Sequence, residues 1–310
     1  MHMKKTPPAF RLPPDARTYV LAIVERCRDL IRCGIWGDLD IARFEAWLNN
    51  FSSHEERYFA ACLLDHLIYR SKSQTISMLE QLFQRVLPDL TRLDPSPLGY
   101  AHDLLRSLAS RRTDSGIRLV LAVKGVEQGI KSGNEIGRFA KRFLNFPERL
   151  FIPPSKIRSC AQRGIKFFVF IDDFLGTGTQ FSKLLRAENI DRRLLSELYV
   201  VYAPLVSHSA GRQKLMKELP ELRVRSVEAL DSSYGLFDKD SACFNDECNT
   251  NDKAKEFYYE LLRKKQLSFT RKLGYGQLEL AYAFEHATPN NSLPILWYNG
   301  GKKWTPLFYR

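Results

Sequence analysis

The chain has 310 residues, 44% of them hydrophobic and 26% charged, enough apolar content to bury a sizeable core and to exclude a disordered chain. No apolar stretch approaches the roughly 18 to 20 residues that span a bilayer, and the opening MHMKKTPPAFRLPPD lacks the apolar segment of a secretory signal, so a cytoplasmic protein without a membrane partner is expected. The 47 basic against 35 acidic residues leave a formal charge of +12, which points to an anionic substrate or a polyanionic partner.

From Ala16 to about Leu90 apolar residues recur at helical spacing, as in YVLAIVERCRDLI, ARFEAWLNNF, ERYFAACLLDHLIYRS and SMLEQLFQRVL. Ser53 followed three residues later by Glu56 predicts a capping box at the start of HEERYFAACLLDHLIYR. Pro95 and Pro97 in TRLDPSPLGY mark the expected boundary between a helical region, 1–95, and a second domain, 96–310. Beyond it, strand-length runs (IRLVLAV, KFFVFI, ELYVVYAPL, RVRSVEAL) alternate with amphipathic segments (NEIGRFAKRFLNF, TQFSKLLRAE, SAGRQKLMKEL). That alternation predicts an α/β domain with a parallel sheet flanked by helices. The polar stretch 230–254 has weak periodicity and is expected to be a long excursion near a functional face. The six cysteines are scattered and without zinc spacing, which suits reduced thiols.

The first strand exit carries Lys124 and Gly125, either an ordinary turn or a charged, amide-exposing loop. Nine basic residues between Lys131 and Lys166, against Glu135 and Glu148, form either a solvated face or a nucleic-acid surface. Within this stretch, Ser132 with Glu135 favours a helix cap over a second anion site.

The chemistry concentrates in FFVFIDDFLGTGTQF, residues 167–181. Asp172 and Asp173 fall where the strand FFVFI is expected to end, at the edge where an open parallel sheet binds ligands. Gly176 and Gly178 let the backbone approach an anion, which would face the first amides of the helix TQFSKLLRA, with hydroxyls added by Thr177, Thr179 and Ser182. Carboxylates accept from hydroxyls while amides donate to phosphate, so a ribose 5-phosphate group would satisfy both halves. A plain helix start is the competing reading. Near the carboxyl end, His286, Asn290 and Asn291, with Thr288, offer either an acceptor or base pocket or ordinary turn chemistry around Pro289. Trp297 and Trp304 read as packing residues.

FFVFIDDFLGTGTQ resembles the phosphoribosyl-pyrophosphate-binding motif of the phosphoribosyltransferases. The resemblance implies a type I phosphoribosyltransferase-like sheet, with Asp172 and Asp173 on the ribose hydroxyls and an indirect role for both toward Mg2+. Gly176, Thr177, Gly178, Thr179 and Gln180 would wrap the 5-phosphate, and Lys124 and Gly125 would form the pyrophosphate loop. Common members have Gly then Thr where this chain has Thr179 and Gln180. The carboxyl end GYGQLELAYAFEHATPNNSLPILWYNGGKKWTPLFYR, with KSGNEIGRFAKR and HEERYFAACLLDHLIYRS, resembles phosphoribosyltransferase-like effectors of bacterial conflict and anti-phage systems, some beside retron-type reverse transcriptases. This implies a transferase acting at the anomeric carbon of phosphoribosyl pyrophosphate or a nucleotide, in the company of a reverse transcriptase and its nucleic acid. The alternative is a catalytically silent nucleotide sensor or scaffold.

Overall fold

The computed structural model describes residues 10–89, 104–110, 116–122 and 132–310. In chain order these form α1 (Ala16–Arg32), α2 (Ile41–Leu48), α3 (His54–Asp65), β1 (Ile68–Arg70), α4 (Lys72–Gln81), α5 (Leu104–Ala109), β2 (Ile117–Leu121), α6 (Ser132–Phe143), β3 (Phe151–Ile152) and α7 (Ile157–Gln162). There follow β4 (Phe167–Leu175), α8 (Thr179–Ala187), α9 (Arg192–Glu197), β5 (Tyr199–His208), α10 (Ser209–Glu218), β6 (Arg223–Val224), β7 (Glu228–Leu230), α11 (Asn251–Lys264) and β8 (Tyr282–Phe284). Backbone contacts divide the chain into two units, Met1–Lys72 with Asp231–Arg310, and Ser73–Leu230.

The second unit is the expected parallel sheet flanked by helices. Its strands run in the order β3-β2-β4-β5-β6, with β7 also on β5, and every pairing is parallel. Every residue of β4 except Phe174 is buried, as a strand covered on both faces requires. One face packs Phe168, Phe170 and Tyr202 against Phe181, Leu184 and Leu185 of α8. On the other, α6 packs against β2 and β4 so closely that a Cβ at Gly137 would lie 2.7 Å from Leu121. The expected strand RVRSVEAL is two short strands, because β6 and β7 pair with different stretches of β5.

The first unit joins both ends of the chain. Half of the capping box is as expected, with Ser53 Oγ accepting from Glu56 N at 3.2 Å, while the Glu56 side chain reaches back to Ser52 N and not to Ser53 N. The Glu56 carboxylate accepts from Ser52 N at 2.6 Å and meets Lys264 at 2.5 Å and Lys265 at 3.1 Å. Burial opposes ionisation of Glu56, but these partners hold its carboxyl down to about 2. The helix stops at Asp65 rather than running through Arg70, because Ile68–Arg70 pairs in parallel with Tyr282–Phe284. The expected cut at 95–96 lies outside the described residues. Residues 230–254 are no loose excursion: Phe237 and Phe244 enter the core, and Asn251 Nδ2 donates to Asp238 O at 2.6 Å and Ser241 O at 2.8 Å. All six cysteines are free, and no helix among the described residues is long and apolar enough to cross a membrane.

Candidate functional site

In the strand order β3-β2-β4-β5 the chain steps outward from β2 to β3 and then returns to place β4 on the opposite side of β2. Open parallel sheets bind ligands at such a reversal, beyond the carboxyl ends of the strands. The stretch after β4 is Gly176–Thr179. The stretch after β2 includes Lys124 and Gly125, which lie outside the described residues.

The strand does not end at Ile171 as expected. Pairing with β2 stops at Leu121↔Ile171, but pairing with β5 continues through Asp172↔Pro204, Phe174↔Val206 and Leu175↔Ser207. Asp172 and Asp173 are therefore strand residues, 8% and 6% exposed. Asp172 Oδ2 accepts from Tyr202 Oη at 2.8 Å and its Oδ1 from Asp173 N at 3.0 Å, while Asp173 Oδ1 accepts from Phe174 N at 2.8 Å. Burial first, and then the Asp173 charge, push the Asp172 carboxyl well above the usual carboxylate range, against the lowering effect of Tyr202. The Tyr202 ring stacks on Phe181 of α8, with centroids 3.8 Å apart, so one side chain positions both the acid and the helix.

The turn after β4 is built for close approach. Gly178 has φ +73° and opens α8, whose N-terminus no side chain caps among the described residues. The first amides of α8 have no acceptor within the helix, so they present donors and a partial positive charge. Thr177 Oγ1 donates to Thr179 Oγ1 at 3.2 Å, and Thr179 Oγ1 also accepts from Lys214 Nζ at 2.9 Å. Gln180 is exposed. Ser182 is buried and donates to Glu218 Oε2 at 2.9 Å, so its hydroxyl is used inside the fold and not on the loop.

Sequence reading missed Lys214 and Gly211 of α10. A Cβ at Gly211 would lie 2.3 Å from the Gly176 carbonyl oxygen, so α10 rests directly on the loop backbone. The signal was present as a helical face, Gly211, Lys214, Leu215 and Glu218 at spacings of three and four.

His286, Asn290 and Asn291 belong to the first unit, and Asp172 and Asp173 to the second. Asn291 is buried with its amide donating to Tyr275 O at 2.7 Å, and Thr288 Oγ1 donates to Tyr309 O at 3.4 Å. Trp304 is core, as expected, whereas Trp297 is half-buried and lines a cavity with Asn290. The basic stretch is partly neutralised by its own surroundings: Arg138 pairs with Glu135, and Lys141 with Glu148 at 2.7 Å. Among the described residues no group of three His, Cys, Asp or Glu is placed to hold a metal ion, and each Asp172 oxygen accepts one hydrogen bond.

A family model described as PRTase-CE matches residues 44–310. Among solved structures, similarity is found to a xanthine-guanine-hypoxanthine phosphoribosyltransferase from Helicobacter pylori, with 9% identity and a TM-score of 0.28, over 53% of this chain and 83% of that one. An orotate phosphoribosyltransferase from Aeropyrum pernix is similar at 18% identity and a TM-score of 0.26, over 51% of this chain and 72% of that one. No curated protein matches the chain.

Proposed function

The chain belongs to the PRTase-CE family, and from that premise we propose that it binds a phosphoribosyl compound, phosphoribosyl pyrophosphate or a nucleotide, and acts at its anomeric carbon. One observation carries the reading. An uncapped helix opens at Gly178 in the left-handed region, directly after the buried acidic pair, with Lys214 reaching Thr179. The loop amides and Lys214 would hold the 5-phosphate, and the acidic pair would accept from the ribose hydroxyls.

Displacement at the anomeric carbon breaks the bond to pyrophosphate or base, and the electron pair leaves with that group as the acceptor's bond forms. The intervening state is oxocarbenium-like, so held anions and excluded water serve it better than a protein nucleophile. Mg2+, when bound, would supply positive charge for a departing diphosphate, and Asp172 and Asp173 would act toward it only indirectly. We extend the proposal to a bacterial anti-phage role beside a retron-type reverse transcriptase and its nucleic acid, on the resemblance of the segments around His54, Ser132 and Gly274. Loss of plaque reduction in cells carrying Asp172→Asn/Asp173→Asn would support that role, and undiminished protection would remove it.

A second reading, a nucleotide sensor or scaffold without turnover, is favoured by Asp172 itself, whose burial and partners suit a structural carboxyl. Phosphorus NMR of the intact protein with phosphoribosyl pyrophosphate, Mg2+ and a panel of purine, pyrimidine and amine acceptors separates the two. Released pyrophosphate that disappears in Asp172→Asn/Asp173→Asn supports the transferase; binding without any release supports the sensor.

A further inference from the structure

The first unit contains a cavity of about 430 Å3 lined entirely by residues between Ser268 and Arg310. This volume lies in the range of small-ligand sites. Two guanidiniums line it. The Arg271 guanidinium stacks over the Tyr275 ring with its central carbon 4.0 Å from the centroid, and Arg310 stacks over Trp297 at 4.7 Å. Stacking uses the flat face of each guanidinium and leaves its edge N–H donors available to a ligand. Among the described residues neither side chain is paired with a carboxylate. Burial first, and then the charge of Arg271, push Arg310 below the usual range.

The walls are fixed by the fold. Trp297 Nε1 donates to Ser292 O at 3.2 Å, and Phe269 packs edge-on against Tyr298 with centroids 4.8 Å apart. Gly274 has φ +77°, and a Cβ there would lie 2.2 Å from the Asn291 carbonyl oxygen, so the turn carrying Arg271 and Tyr275 sits directly on the backbone behind Asn290. Tyr275 N donates to Asn290 O at 2.7 Å.

We propose that this cavity binds a phosphate monoester, with Arg271 and Arg310 on the phosphate and the organic part of the ligand beside Phe269 and Asn290. Two guanidinium forks match the geometry of a dianionic phosphate, and the cavity exceeds what a phosphate alone would fill. The site is formed wholly by the first unit and does not depend on the loop at Gly178.

Calorimetric titration of the intact protein with inorganic phosphate, ribose 5-phosphate and adenosine 5′-monophosphate tests it. The parent should take up one more equivalent of each ester than Arg271→Gln/Arg310→Gln, and each single variant should bind about tenfold more weakly at this site. Arg271→Lys keeps the charge but not the fork and should weaken binding several-fold, which preserves the test should the double variant fail to fold. Tighter binding of the nucleotide than of ribose 5-phosphate would place a base beside Phe269, and equal binding would place only the sugar phosphate there. Identical stoichiometry and affinity in parent and arginine variants, or phosphate uptake lost only in Gly178→Val, would overturn the proposal.

Discussion

At Asp172 a carboxyl is held 8% exposed between an acidic neighbour and the Tyr202 phenol, an environment that favours its protonated form. A carboxyl raised in the folded state binds protons more tightly there than in the unfolded chain. Its contribution therefore makes stability fall as pH rises from about 4, the ordinary Asp value, through the folded-state value. Asp172→Asn keeps the shape and removes the charge, so at pH 7 it should raise stability by on the order of 1 kcal/mol and remove this decline. Thermal melts of parent and variant from pH 4 to 8 measure both; a variant less stable than the parent throughout would show that the carboxylate is favourably held. The acidic pair and the GTGT turn were legible in the sequence because both lie within one local stretch. Tyr202 and Lys214 were not, because 30 and 35 residues separate them from Asp172 and Thr179, and only packing brings them together.

Helix α10 acts on the loop as an element. Gly211 lets it rest on Gly176, Lys214 reaches Thr179, and Glu218 takes the Ser182 hydroxyl. Gly211→Ala would drive a methyl against the Gly176 carbonyl, which is backbone and cannot swing aside, so it should cost about 1 to 3 kcal/mol and weaken phosphoribosyl binding. Met216→Ala on the 64% exposed side of the same helix should change stability by no more than about 0.5 kcal/mol. Denaturant unfolding with and without phosphoribosyl pyrophosphate compares them, and equal behaviour of the two variants would remove α10 from the site. Element types were readable from periodicity except at Ile68–Arg70, where helical spacing hides a strand that pairs with Tyr282–Phe284, and strand ends were not readable. β4 runs to Leu175 because β5 offers it partners that the sequence of β4 does not reveal.

Across the whole molecule, the helical beginning of the chain is completed by its far end. Trp47 Nε1 donates to Ile295 O at 2.9 Å, Phe59 stacks on Phe244 with centroids 5.1 Å apart, and β1 pairs with β8. A fragment of residues 1–95 leaves these faces bare and should show little cooperative unfolding by circular dichroism; a sharp two-state melt would support it as an independent domain. Composition could not reveal this closure, because a helical region that folds alone and one that waits for a distant partner share the same 3.6-residue pattern. The central claim, that the Gly178 turn holds the phosphate of a phosphoribosyl ligand, is tested most directly on the intact chain by calorimetric titration with phosphoribosyl pyrophosphate and Mg2+. Gly178→Val meets both the strain of φ +73° and contacts at 3.2 Å with Gly211 O and Leu215, and it should abolish binding at a cost of about 1 to 3 kcal/mol to the fold. Lys214→Met should weaken binding about tenfold with the fold intact. A folded Gly178→Val protein that binds as the parent does would contradict the account.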